Sequence, residues 1–332
     1  MSQPNRRTAM LASLASVVLA LAPRRARGAS YRLKLAHDAN SAHPFHQGFS
    51  VFKQSVELGS QGRIEVEIFP AGQLGPENAV NELVRAGLVM ASWPSAAGGL
   101  SSYVPDIDAL NTPFLFNDEA HFYRAIDGAA GWTLAAQVAA KLDAEVIGWT
   151  FNGARHVWNS RRPVSTPADL KGLKLRVINT RIMIACFQRL GVQVTPMAFG
   201  EIYNAMQQKV IDGAENDVVD IKVEKFFEVS KYVSLTRHLH LAVALVLSRR
   251  ALAALPADLQ LLVRQAAAEG LAVTRGAVEA QTIEARQFLE SKGLIFNQPD
   301  LAAFQAAVIP IYTALPASAS LRDLVAGIRA LA

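Results

Sequence analysis

"GRIEVEIFPAGQLGPENAVNELVRAG", residues 62–87, decides the architecture of this chain. Ile64, Val66 and Ile68 alternate with Glu65 and Glu67, the period-two pattern of a strand with one buried face. Gly72, Gly75 and Pro76 mark a turn, and Pro76 stands near the first position of a helix whose apolar face is Ala79, Val80, Leu83 and Val84. Gly87 ends that helix. Outward from this unit, "YRLKLAHD" (31–38) is a second alternating strand, and Pro44 opens a helix to about Leu58 with Phe45, Phe49, Phe52 and Val56 on one side. "LVMASW" (88–93) reads as a third strand. The β-α-β-α-β order predicts a parallel sheet with helices on both faces.

A second run of the same kind follows. "EVIGWTFNG" (145–153), "LKLRV" (173–177) and "GVQVTPM" (191–197) read as strands, with a helix over 181–190 between the last two. "GEIYNAMQQKV" reads as a helix with Ile202, Ala205, Met206 and Val210 inward, and "DGAEN" (212–216) begins another strand. From Pro256 a helical pattern persists to about Lys292, long enough to cross two lobes. The expected fold is α/β: two lobes with mixed, mostly parallel sheets, joined by crossing segments. The expected division is 29–152 plus 242–281 for lobe I and 153–241 plus 282–332 for lobe II.

Composition narrows the function classes. The 332 residues are 51% hydrophobic and 18% charged, enough for two lobes with sizeable cores. The formal charge of +5 comes from the leader: Arg6, Arg7, Arg24, Arg25 and Arg27 lie within residues 1–28, which hold no acid. The other 28 basic residues balance the 28 acidic ones, so no basic stripe is left for nucleic acid. Residues 1–28 read as an export signal: a charged start, an uncharged run Ala9–Ala22 and small residues for cleavage in "ARGAS". A run of about 14 residues is too short to span a bilayer, which takes roughly 20. Arg6–Arg7 has the twin-arginine arrangement without the aromatic or leucine usual after the pair, so ordinary secretion and twin-arginine export both stand. The mature protein is expected outside the cytoplasm. The single cysteine, Cys186, falls at helical spacing with Ile182 and Leu190 and reads as a small buried hydrophobe.

Three polar positions fall at carboxyl ends of strands in the second run, where open α/β sheets bind ligands. Arg155 follows the strand ending near Phe151, Arg176 closes "LKLR" between apolar Leu175 and Val177, and Asn216 ends "DGAEN". A half-buried guanidinium needs an anion. Two arginines and an amide in one crevice suit a carboxylate, because a guanidinium offers it two parallel N–H donors. By spacing alone, either arginine could equally pair with Glu215 or Asp217. His37, His43 and His46 fit no closed zinc site, and neither metal nor cofactor is expected. "TRHLH", with His238 and His240, reads as a strand edge.

The chain resembles the solute-binding subunit of tripartite ATP-independent periplasmic (TRAP) transporters, of the DctP type. The resemblance runs from Tyr31 to the C-terminal region. It rests on "GRIEVEIFPAGQLG" (62–75), "DLKGLKLRV" (169–177), "TPMAFGEIYNAMQQKVIDGAEN" (195–216) and "FFEVSKYVSLTRH" (226–238), in that order. It implies a two-lobed clamshell with a long helix crossing both lobes, a periplasmic binding protein that closes on a small organic acid and delivers it to membrane permease subunits, without catalysis. It also implies that Arg176 makes the main bidentate contact to the ligand carboxylate. Arg155 then falls on a second ligand arginine, Asn216 on the ligand amide, Phe199 on a pocket aromatic, and Asn179 just beyond the arginine strand. Asp38, Glu77, Trp93 and Ser95 are candidate contacts from the first lobe; Glu77 also suits a helix N-terminus, and Trp93 also suits the core. The chain departs from the family where relatives often carry proline, at Ile178 and Asp217, which bears on the choice of acid. A monomer rather than a dimer is expected. Two other classes remain to be weighed: a secreted enzyme on a small carboxylate with His37 or His156 as base, and the receptor subunit of a sensor system. No nucleophile motif or acid–base pair favours the enzyme.

Overall fold

A computed structural model describes residues 29–314 and 316–332. The expected export signal, residues 1–28, lies outside the described residues. In chain order the first half contains β1 (Tyr31–Ala36), α1 (Pro44–Gly59), β2 (Ile64–Phe69), α2 (Glu77–Arg85), β3 (Ala91–Ser92), α3 (Glu119–Ile126), α4 (Ala129–Leu142) and β4 (Ala144–Asn159). Next come β5 (Lys174–Arg176), α5 (Arg181–Arg189), β6 (Gln193–Val194), α6 (Ile202–Gln207), β7 (Gly213–Asn216) and α7 (Val218–Val223). The chain finishes with β8 (Tyr232–Ser248), α8 (Arg249–Ala253), α9 (Ala257–Ser291), β9 (Ile295–Asn297), α10 (Leu301–Ala314) and α11 (Ala319–Arg329).

One continuous mixed sheet runs in the order β2-β1-β3-β8-β4-β7-β5-β6, with β9 added to β8. At one end β1 is parallel to β2 and β3; at the other, β5 is parallel to β6 and β7. The two parallel ends are joined by the antiparallel pair of β4 and β8, 16 and 17 residues long. At about 3.3 Å per residue each is roughly 50 Å long, enough to run through both halves. β8 is buried along nearly its whole length, and so loses its alternation over "LAVALVLS". The β4–β8 ladder slips register between Val146 and Gly148, Phe151 and Ala154, and Arg155 and Val157. Gly153 sits in the second irregularity with φ of 116°, a left-handed value that favours glycine.

The expected long helix is α9, 35 residues, or about 52 Å at 1.5 Å per residue. Its buried stripe (Leu259, Val263, Ala266, Leu271, Thr274, Val278, Ala285, Leu289) contributes to all three apolar cores of the molecule. α1 lies along it, with Gly48 against Gly270 at the closest approach.

Four expectations change. β4 does not stop near Phe151; the bulge carries it on to Asn159, so Arg155 lies within the strand. β3 keeps only two residues of "LVMASW". Val210 lies beyond α6 and is exposed, because the helix ends at Gln207. His238 and His240 are buried inside β8 rather than on an edge.

Candidate functional site

The carboxyl ends of β1, β3, β5 and β7 and the bulge of β4 face a cleft of about 600 Å³. Eight of the nine residues singled out from the sequence line it: Asp38, Glu77, Ser95, Arg155, Arg176, Asn179, Phe199 and Asn216. Trp93 does not. Its ring stacks on Phe45 at 5.2 Å and tilts against Phe49 at 5.6 Å, which places it in the core behind the cleft wall. Phe45 takes the position at the wall instead.

The two arginines have different surroundings. Arg155, 2% exposed, donates from Nε to Glu215 Oε2 at 2.5 Å and from an Nη to the Glu215 carbonyl. Glu215 is fully buried and also accepts the Ile178 N–H at 3.1 Å, with His238 Nε2 at 3.4 Å. Burial would raise its pKa, but the Arg155 charge outweighs burial and holds it down to about 2. This pair neutralises itself.

Arg176, 5% exposed, donates only from Nε, to the Met197 carbonyl at 3.1 Å. Among the described residues neither of its terminal amino groups has a hydrogen-bonding or ionic partner within the protein. Burial, helped by the neighbouring Arg155, lowers its pKa to about 10 against the opposing pull of Glu215. Lys171 and Lys174, the other cations of that stretch, are exposed. The fork of Arg176 therefore lines the cleft as a cation that makes no ion pair among the described residues and is shaped for a carboxylate.

Around it stand acceptors. Asn216 is fully buried and donates its amide to Asp220 Oδ2 at 2.8 Å, while its Oδ1 has no partner. Glu77 accepts from Ser95, from the backbone N–H at 3.2 Å and the hydroxyl at 2.8 Å, tying the start of α2 to the turn after β3. Ser95 Oγ in turn accepts the Gly98 N–H at 2.8 Å. Burial and the facing Asp38 push Glu77 up to about 8; burial and Asp220 push Asp38 up to about 6. Phe199 meets Phe226 edge to face at 6.0 Å, and Asn179 is exposed at the rim.

Asn152 and Phe45 are among the wall residues that do not stand out as contacts in the sequence. Asn152 lies in "FNGARH", which reads as a turn but forms the bulge of β4; its amide donates to Asp217 Oδ2 at 3.3 Å and its Oδ1 is buried without a partner. Asp220, whose negative charge near the site is legible in the sequence four residues beyond Asn216, also lines the cleft. Phe45 reads from the sequence as part of a helix face alone. His43 caps α1, its Nδ1 accepting the Phe45 N–H at 3.2 Å, so the neutral ring carries its proton on Nε2, 3.5 Å from Asp220 Oδ1. His37 and His46 bond to each other at 3.1 Å. No group of metal-ligand type is found among the described residues.

Comparison with known proteins agrees with this geometry. The family model "Bacterial extracellular solute-binding protein, family 7" matches residues 35–318. A solute-binding protein of Verminephrobacter eiseniae is 34% identical over 82% of this chain and 82% of its own length. Among solved structures, a TRAP periplasmic solute-binding protein of Roseobacter denitrificans with bound L-galactonate superposes with a TM-score of 0.84 at 32% identity, over 91% of this chain and 99% of that one. Another, from Sulfurospirillum deleyianum with bound succinate, gives 0.87 at 27% identity, over 92% and 100%. These proteins are two-lobed binders, not enzymes, and no described helix of this chain is long and apolar enough to cross a membrane. The chain belongs to family 7 of the bacterial extracellular solute-binding proteins, the binding subunits of TRAP transporters.

Proposed function

We propose that this protein captures a small organic acid in the cleft, its carboxylate on Arg176, and presents it to membrane permease subunits. The observation that carries the reading is the free fork of Arg176, a buried cation with no carboxylate partner beside an arginine that has one. Relatives with bound L-galactonate and succinate support the ligand class. Arg155, with Nε and one Nη committed to Glu215, supports the ligand through its remaining donors and by fixing Glu215 against the backbone of Ile178. Asn216, Asn179, Ser95 and Phe199 complete the contacts, and Asp38 and Glu77 face the far end of the ligand. Trp93 acts through Phe45.

In the same reading residues 1–28 direct export and are removed, and the mature protein works in the periplasm as a monomer. The lobes divide at 152/153 and 241/242, where the β4–β8 register slips between Phe151 and Ala154, opposite Ala242 and His240.

Mass spectrometry of small molecules released from the purified protein, followed by a thermal-shift screen of organic acids, tests this. A ligand at 100 times its Kd should raise Tm by on the order of 5 °C. A broad acid screen that leaves Tm unmoved, with no acid released, would refute it.

A further inference from the structure

Resting on that capture reading, we infer that the ligand is a polyhydroxylated monocarboxylate, an aldonic or uronic acid, and that Asp38, Glu77 and Asp220 reject a second carboxylate. The cleft holds two arginines, but the Arg155–Glu215 pair cancels, leaving the Arg176 fork as the one wall cation without an ion-pair partner among the described residues. One fork matches one carboxylate.

The rest of the polar wall asks for donors. Asn152 and Asn216, 5% and 0% exposed, both line the cleft with an amide oxygen that no protein donor reaches. Each amide nitrogen is already committed to an aspartate, which fixes the amide with its oxygen as the free end. Among the described residues Asp38 accepts no side-chain donor, and Glu77 and Asp220 retain acceptor capacity beyond Ser95, Asn216 and His43. A buried acceptor left without a donor is costly, and ligand hydroxyls are the donors that fit. A second carboxylate brings only acceptors and a like charge. An alkyl chain leaves the amide oxygens unpaired. Selection therefore comes from repulsion as much as from attraction.

Calorimetric titration with chemically matched acids tests the inference: gluconate, galactonate, glucuronate and galacturonate against glucarate, adipate, succinate and hexanoate. The runs are made at pH 8.5, above the values of about 6 and about 8 to which Asp38 and Glu77 are pushed. At least one aldonate or uronate should bind, and glucarate should bind about 100-fold or more weaker than the best of them. Adipate, succinate and hexanoate should fall as far behind. At pH 6, where Glu77 holds its proton, the penalty on glucarate should shrink. Asp38→Asn, checked for an unchanged melting temperature, should narrow the gap between gluconate-type acids and glucarate at least about tenfold. Succinate, adipate or hexanoate binding as tightly as the best hydroxy acid, with loss of that binding in Arg176→Ala, would overturn this inference and leave the capture reading intact. Failure of every acid to bind would overturn both.

Discussion

Replacing Arg176 and replacing Glu215 should harm different properties, although both groups are buried charges a few residues from the same cleft. Arg176→Ala removes a cation that forms no ion pair among the described residues and that burial disfavours, so the ligand-free protein should melt within a few degrees of the parent. In the complex it leaves a carboxylate without its partner, at about 2–5 kcal/mol, or roughly 30-fold to several thousand-fold in affinity. Arg176→Lys should bind poorly too, since a point charge does not replace a planar fork. Glu215→Gln instead leaves Arg155 buried without its counter-ion, which costs about 3–5 kcal/mol of stability. Calorimetry and thermal melts on the same variants separate the two effects; an Arg176→Ala protein that melts far lower but binds normally would make Arg176 a structural residue. The cleft acids add a pH dependence. Glu77 and Glu224 are raised to about 8 and about 7, both by burial first, with Asp38 facing the one and Asp220 and Asp38 the other. A folded-state value above the unfolded one gives stability that is lost as pH rises through the folded value. The lowered histidines His37, His43 and His240 oppose this only below about 6.5, where they charge in the unfolded chain. The ligand-free Tm should therefore rise as pH falls from 8.5 to 6.5, and Glu77→Gln should flatten that rise. A Tm that falls over this interval contradicts the assignment.

At the scale of elements, what could be read in the sequence follows local rules, and what could not depends on distant partners. Alternation exposed β1 and β2, and prolines and glycines marked the ends of α1 and α2, because each signal lies within a few residues. α9 was readable from its unbroken helical stripe. β4 was cut short because Asn152–Gly153 looks like a turn; only pairing with β8 and β7 turns it into a bulge that carries Arg155 to the cleft. That Arg155 and not Arg176 belongs to Glu215 was equally hidden, since spacing allowed both pairs and the β4–β7 ladder decides. The Gly48–Gly270 contact was also invisible, as neither glycine sits at a turn. A Cβ on Gly48 would lie 2.6 Å from the Gly270 carbonyl oxygen and 2.1 Å from Thr274 Oγ1. The Gly48→Ala change gains about 1 kcal/mol of helix propensity, yet overpacking should make it a net loss of about 1–3 kcal/mol. Chemical denaturation would show it as a lower midpoint; a stabilised variant would mean that α1 and α9 can part at no cost.

For the whole molecule, three long elements join the two halves, β4, β8 and α9, and the chain crosses again between α10, which packs on α5, and α11, which packs on α4. Helix and paired strands resist stretching, so closing the cleft must bend the crossings, and the β4–β8 ladder is interrupted at Phe151–Ala154, beside Asn152. Gly153, whose φ of 116° suits glycine, provides a place for that bend. On the proposed reading the free energy for closure comes from the ligand, which in a closed form would meet Arg176 from one half and Asp38 and Glu77 from the other, and so would bind that form more tightly. The acid should therefore make the protein more compact, with a smaller radius of gyration in small-angle scattering at saturation. Arg176→Ala at the same acid concentration should keep the larger radius, because its binding is lost and not its hinge. Unchanged scattering from the parent protein at calorimetric saturation would sink the closure mechanism, since binding would then occur without any differential affinity for a closed state.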